Sequence, residues 1–179
     1  MSSRLPDFVD PWRLSDLGKR FTGELELRRM PRLVNVLSNS GGSAAFDLVF
    51  GRDGKRRPRI KGRVRAVLAL QCQRCLEPLD YPAEASFDLA VIEVDEEAVS
   101  LPDEVDPVIA TEGRIGLREL LEEELLLAIP QIPRHEAAVC KVDVSAMQST
   151  PIASESRQKE TAEANPFAVL SELKPTDKN

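Results

Sequence analysis

At 179 residues, with 42% hydrophobic and 30% charged side chains but only 4% aromatics, the chain can bury one aliphatic core and carry tails. Its net charge of -6 excludes a protein that coats nucleic acid over its whole surface, though not one with a local basic face. No run approaches the roughly 18 apolar residues of a membrane span. The start, from Met1 to Asp7, lacks the apolar core of a secretory signal, which predicts a cytoplasmic protein. In a reducing compartment the 3 cysteines are expected to be free for metal or redox chemistry rather than bridged.

Taken in order, the chain opens with Asp10-Pro11-Trp12-Arg13, then Leu14 and Leu17 at helical spacing. Trp12 is the large apolar surface expected to dock this arm on the core. Phe21, Gly23, Leu25 and Leu27 alternate with polar residues, the period of a half-buried strand. Met30-Pro31-Arg32 breaks it, and Leu33, Val34 and Val36 are expected to resume it as an edge. After the turn Asn39-Ser40-Gly41-Gly42-Ser43, a second strand runs from Ala44 to Phe50. The turn Gly51-Arg52-Asp53-Gly54 follows, with the Asp-Gly pair that hairpins favour.

A third strand spans Arg59 to Leu70. Ile60, Gly62, Val64, Ala66, Leu68 and Leu70 share one face, and Arg59, Lys61, Arg63 and Arg65 share the other. Same-face neighbours stand roughly 6.6–6.8 Å apart, so these cations form a stripe. Cys72-Gln73-Arg74-Cys75 closes this strand, and a fourth follows from Tyr81 to Val94. Glu93 to Asp106 is acidic and punctuated by Pro102 and Pro107, which predicts a solvated loop. Leu117, Leu120, Leu121, Leu125 and Ala128 place an apolar stripe on a helix from Gly116 to Ile129, ended by Pro130. Within it, Glu122-Glu123-Glu124 is expected on the solvated side. Residues 141–164 are poor in apolar side chains and read as a flexible linker. Asn165-Pro166 then opens a terminal helix, over 165–174, with Phe167, Leu170 and Leu173 along one side.

Two constellations carry chemistry. Cys72 and Cys75 have the spacing of half a tetrahedral zinc site, and His135 with Cys140 supplies a possible second half. Against zinc stand the absence of a glycine after Cys75 and the bland alternative of one core thiol, one loop thiol and a histidine at a helix end. A redox pair is disfavoured, because the motif lies between strands rather than at a helix N-terminus. The second constellation is Arg52, Lys55, Arg56, Arg57, Arg59, Lys61, Arg63 and Arg65, followed by Arg74. From 51 to 65 only Asp53 opposes these cations. Phosphate contact is their natural use, and pairing with the acidic loop 93–106 is the alternative. No aromatics interleave with them, so base stacking is not indicated. With no phosphate loop, no Ser-His-Asp set and a single histidine, the chain is expected not to be an enzyme.

Three blocks together resemble the YceD family of large-ribosomal-RNA accumulation proteins. They are Leu70-Gln71-Cys72-Gln73-Arg74-Cys75-Leu76-Glu77-Pro78-Leu79, then Glu124 to Pro130 with Pro133 and His135, then Asn165-Pro166-Phe167-Ala168-Val169-Leu170. Asp10-Pro11-Trp12-Arg13-Leu14 is similar to the family's opening. The resemblance implies a factor in synthesis, processing or stability of large-subunit (23S) ribosomal RNA, with that RNA or a pre-ribosomal particle as partner, and it supplies no active site. The expected architecture is an α+β domain over 1–140, a small antiparallel sheet with one amphipathic helix packed on it. A linker and the short docking helix complete the chain. The rival expectation is an adaptor that docks another assembly factor through Phe167, Leu170 and Leu173.

Overall fold

A computed structural model describes residues 5–136 and 138–142 of the chain. The linker beyond Val142 and the terminal helix with Phe167, Leu170 and Leu173 lie outside the described residues. The fold is α+β. Its centre is a five-stranded sheet in the order β2-β3-β4-β5-β6, formed by β2 (Arg20–Glu26), β3 (Ser43–Arg52), β4 (Pro58–Gln71), β5 (Pro78–Ile92) and β6 (Asp106–Ile109). The first four strands are antiparallel, and β6 runs parallel to β5. A two-stranded ribbon, β1 (Phe8–Val9) with β7 (Ile115–Gly116), leads into the helix α3 (Leu117–Leu127).

The alternation read in β4 decides which way the sheet faces. Ile60, Val64, Leu68 and Leu70 are at most 2% exposed and join Leu117, Leu121 and Leu125 of α3 in one core. Each such aliphatic side chain contributes roughly 1.5–3 kcal/mol when fully buried. Gly62 also lies on the core face, opposite Phe87 and Leu48. A Cβ there would collide with the Phe87 ring, so the glycine lets the ring lie across the strand. The helix α1 (Pro11–Asp16) is capped by Asp10, whose Oδ1 accepts from Arg13 N at 3.1 Å, and it carries Trp12 against the core.

Three local expectations change. Leu33 and Val34, expected on an edge strand, lie instead in a short helix, α2 (Pro31–Val34). Pro31 sits at its start with the backbone angle a first helical turn needs. Met30 offers no side-chain cap; instead Glu122 Oε1 accepts from Leu33 N at 3.0 Å. Glu122 is therefore 1% exposed, inside the fold rather than on the solvated side of α3. The acidic stretch 93–106 is also more ordered than a loop. Asp95–Ser100 forms a 3-10 helix, and Asp106 begins β6. Pro107, read as a breaker, is tolerated because β6 is an edge strand.

The turn after β3 departs in a smaller way. The chain reverses over 53–57, and the residue with positive φ is Arg56, at 65°, not Gly54. Asp53 Oδ1 holds this loop by accepting from Lys55 N and Arg57 N, each at 2.8 Å.

Candidate functional site

The strand β4 ends in the cysteine turn. Leu76 N donates to Cys72 O and Cys72 N to Glu77 O, both at 2.9 Å. Leu76 takes φ 61°, the left-handed conformation for which glycine is the usual residue. The knuckle thus forms without the glycine whose absence counted against it. The segment after α3 folds back over this turn. Gln73 N donates to Pro133 O at 2.8 Å, and Lys141 Nζ meets Glu77 Oε1 at 2.7 Å.

These tethers gather Cys72, Cys75, His135 and Cys140. Their four donor atoms lie within 4.8 Å of one another. Tetrahedral bonds of about 2.0–2.3 Å place ligand atoms roughly 3.5–3.8 Å apart. Cys75 Sγ and His135 Nδ1 are already 3.4 Å apart. His135 Nε2 stands 2.9 Å from Pro78 O. A carbonyl only accepts, so Nε2 carries the proton and Nδ1 offers its lone pair to the cluster. Cys72 is fully buried, which alone raises a thiol's pKa. The backbone N–H groups of Cys75, His135 and Arg74 outweigh that and hold Cys72 down at about 5. His135 is shifted upward: burial opposes the shift, and the Cys72 sulfur and the Pro78 carbonyl overcome it. The donor set, its spacing and the oriented imidazole all fit a metal ion.

The structure also places Arg74 here. Its Nε donates to Cys140 Sγ at 2.9 Å and its Nη2 to His135 O at 3.2 Å. Sequence proximity had grouped Arg74 with the basic stripe; spatially it belongs to the sulfur cluster.

At the other end of β4 the cations divide into two sets. Arg59 Nη2 and Lys61 Nζ share Asp88 Oδ2 at 2.8 and 3.3 Å, and Arg63 Nε stands 3.4 Å from Glu84 Oε1. These carboxylates come from β5, the strand beside them, so the expected partner, loop 93–106, is not the one used. From that loop only Ser100 takes part, accepting from Arg57 Nη2 at 3.1 Å. Arg52 pairs with Asp16 at 2.6 Å, and that guanidinium lowers the Asp16 pKa. Lys55, Arg56 and Arg65 are exposed and make no ion pair among the described residues. The alternation of Lys61, Arg63 and Arg65 against Asp88, Ser86 and Glu84 was legible in each strand separately. The missing information was the register that sets them opposite one another.

The chain is thus a small α+β domain with a Cys/His cluster at one end of its central strand and a part-neutralised basic face toward the other. The chain matches the family model described as "Large ribosomal RNA subunit accumulation protein YceD" over residues 60–174. It is 31% identical over 172 residues to the protein of that description from Haemophilus influenzae, covering 96% of this chain and 97% of that relative. The chain belongs to the YceD family. The family description names no enzymatic activity. No solved structure matches the chain. Among the described residues, no helix is long and apolar enough to cross a membrane.

Proposed function

We propose that this protein is a non-enzymatic cytoplasmic factor in the synthesis, processing or stability of large-subunit (23S) ribosomal RNA. It acts by contacting that RNA, or a pre-ribosomal particle containing it, through the outer side of β4 and the loop before it. Family membership supports the ribosomal part of the reading. The observation that carries the contact is the exposed set Lys55, Arg56 and Arg65, beside the shared cations Arg52, Arg57, Arg59, Lys61 and Arg63. Each phosphate neutralised by such a cation releases counterions, which makes binding steeply salt-dependent. The partnered cations contribute less, because a phosphate must displace Asp16, Ser100, Asp88 or Glu84 to reach them.

Zinc is the metal that suits three thiolates and one imidazole. Cys72, Cys75, His135 and Cys140 would hold it, clamping the segment after α3 to the end of β4. Three thiolates and one divalent ion leave a negative charge, and Arg74 is placed to offset it. The role is structural, since all four positions of the tetrahedron belong to protein.

The decisive experiment is the double reversal Arg63→Glu with Arg65→Glu, titrated against ribosomal RNA across a salt series. Binding should weaken steeply and its salt dependence should flatten. Binding that equals the unsubstituted protein at every salt concentration would remove RNA contact from the function.

A further inference from the structure

A concavity on another part of the domain differs in chemistry from both ends of β4. It is a groove of about 920 Å³ between β6, the ribbon β1–β7 and α3. Its apolar lining includes Phe8, Ile109, Leu120 and Leu127. Phe8 is 59%, Ile109 50% and Leu127 75% exposed, so the groove leaves large apolar side chains in water. On one side it is bounded by β6, the last strand of the sheet, whose outer edge meets no strand among the described residues.

The polar lining is acidic. Asp106, Glu112, Glu119, Glu123 and Glu124 face it, against Arg114 alone among cations. Glu119 is shared with Arg118 at 3.2 Å, and Glu123 with Arg32 at 4.0 Å. Asp106, Glu112 and Glu124 make no ion pair among the described residues. Crowding is felt inside the groove: burial first, then Asp106 and Glu123, push the Glu124 carboxyl above its usual range. Such a lining repels phosphate, so it is not a second RNA surface. It offers apolar area together with unneutralised negative charge, and its complement is cationic and apolar at once.

We propose that the groove between β6 and α3 is a docking site for a lysine- and arginine-rich protein segment that carries spaced apolar side chains. The apolar side chains cover Phe8, Ile109 and Leu127, and the cations meet Asp106, Glu112 and Glu124. Charge complementarity of this kind governs which partner enters and how fast. The proposal concerns a different surface from the RNA contact and stands whether or not that reading holds.

The test uses the full chain and a short fluorescent peptide of alternating lysine and leucine, read by anisotropy and by amide NMR shifts. The peptide should bind and shift residues of β6 and the exposed side of α3. Peptides with glutamate for lysine, or serine for leucine, should bind about tenfold more weakly or worse, a loss of about 1.4 kcal/mol. Glu123→Lys with Glu124→Lys should abolish binding while leaving ribosomal RNA binding unchanged. The control Glu96→Lys with Glu97→Lys, in the 3-10 helix after β5, should bind as the unsubstituted protein does. Ile109→Ser gives a second variant at an exposed side chain that the core does not need. An equal loss in the control pair, or shifts scattered outside the groove, would overturn the proposal. So would a dimer in sedimentation that Ile109→Ser dissolves, since a second copy would then be the occupant. Tighter binding of a synthetic peptide of residues 163–179 at the same place would reassign the groove to this chain's own C-terminus.

Discussion

The two ends of β4 are built on opposite principles. At the Cys72 end, groups more than sixty positions apart in the chain, such as Cys72 and His135, converge on one point. At the Arg59 end, cations adjacent in the chain are separated from one another by carboxylates of the next strand. One end concentrates what the sequence scatters; the other dilutes what the sequence concentrates. A charge cluster in a sequence is thus a statement about one strand only, and the register of its neighbour decides how much of that charge reaches solvent.

The contrast is tested most severely at the cysteine end. Protein purified without chelator should carry about one zinc per chain, and Cys72→Ser with Cys75→Ser should carry none, by elemental analysis. RNA affinity should hold in this variant wherever the sheet remains folded, because the cations from Lys55 to Arg65 take no part in the cluster. Metal-free, fully folded unsubstituted protein would refute the metal site.

Arg74 is the residue on which the two ends compete. As the donor to Cys140 it predicts that Arg74→Met lowers zinc affinity by about 10–100-fold in competition with a coloured chelator, the usual effect of losing an outer partner of a ligand. If RNA affinity falls instead and zinc is retained, Arg74 belongs with the stripe after all.

The smallest effect should come from Asp88→Asn. It releases Arg59 and Lys61, so RNA affinity should rise a few-fold and the salt slope should steepen by about one. The cost in stability, read by urea denaturation, should stay within about 1 kcal/mol, as for other ion pairs near the surface. A fall in affinity would mean that Asp88 holds these cations in place rather than masking them.

Much of this was open to reading along the chain. The alternation in Ala44–Phe50 and Ile60–Leu70 reports burial on one face, and the spacing of Leu117, Leu121 and Leu125 reports a helix, because both periods follow directly from backbone geometry. The Cys/His set was found by counting donor types, which works when the sequence holds 3 cysteines and 1 histidine. What escaped depends on distant partners. Glu122 reads as surface until Leu33 N needs an acceptor, and Leu33 and Val34 read as strand until that acceptor arrives. Leu76 shows no local sign of its left-handed backbone, which the hydrogen bonds of the turn impose. The groove was invisible for the same reason. Its acids come from β6, the loop after it and α3, and only the packing of α3 against the sheet faces them toward one another.

The length of β4 has one more consequence. Fourteen residues in extended form span roughly 45 Å, paired with β5 along nearly all of that distance and with β3 from Pro58 to Arg65. A continuously paired strand sets the basic loop and the sulfur cluster apart like two marks on a ruler. If a particle seats the loop at Lys55 and Arg56 as proposed, it meets the Cys72 turn at that separation. The interval is written in the number of residues between them.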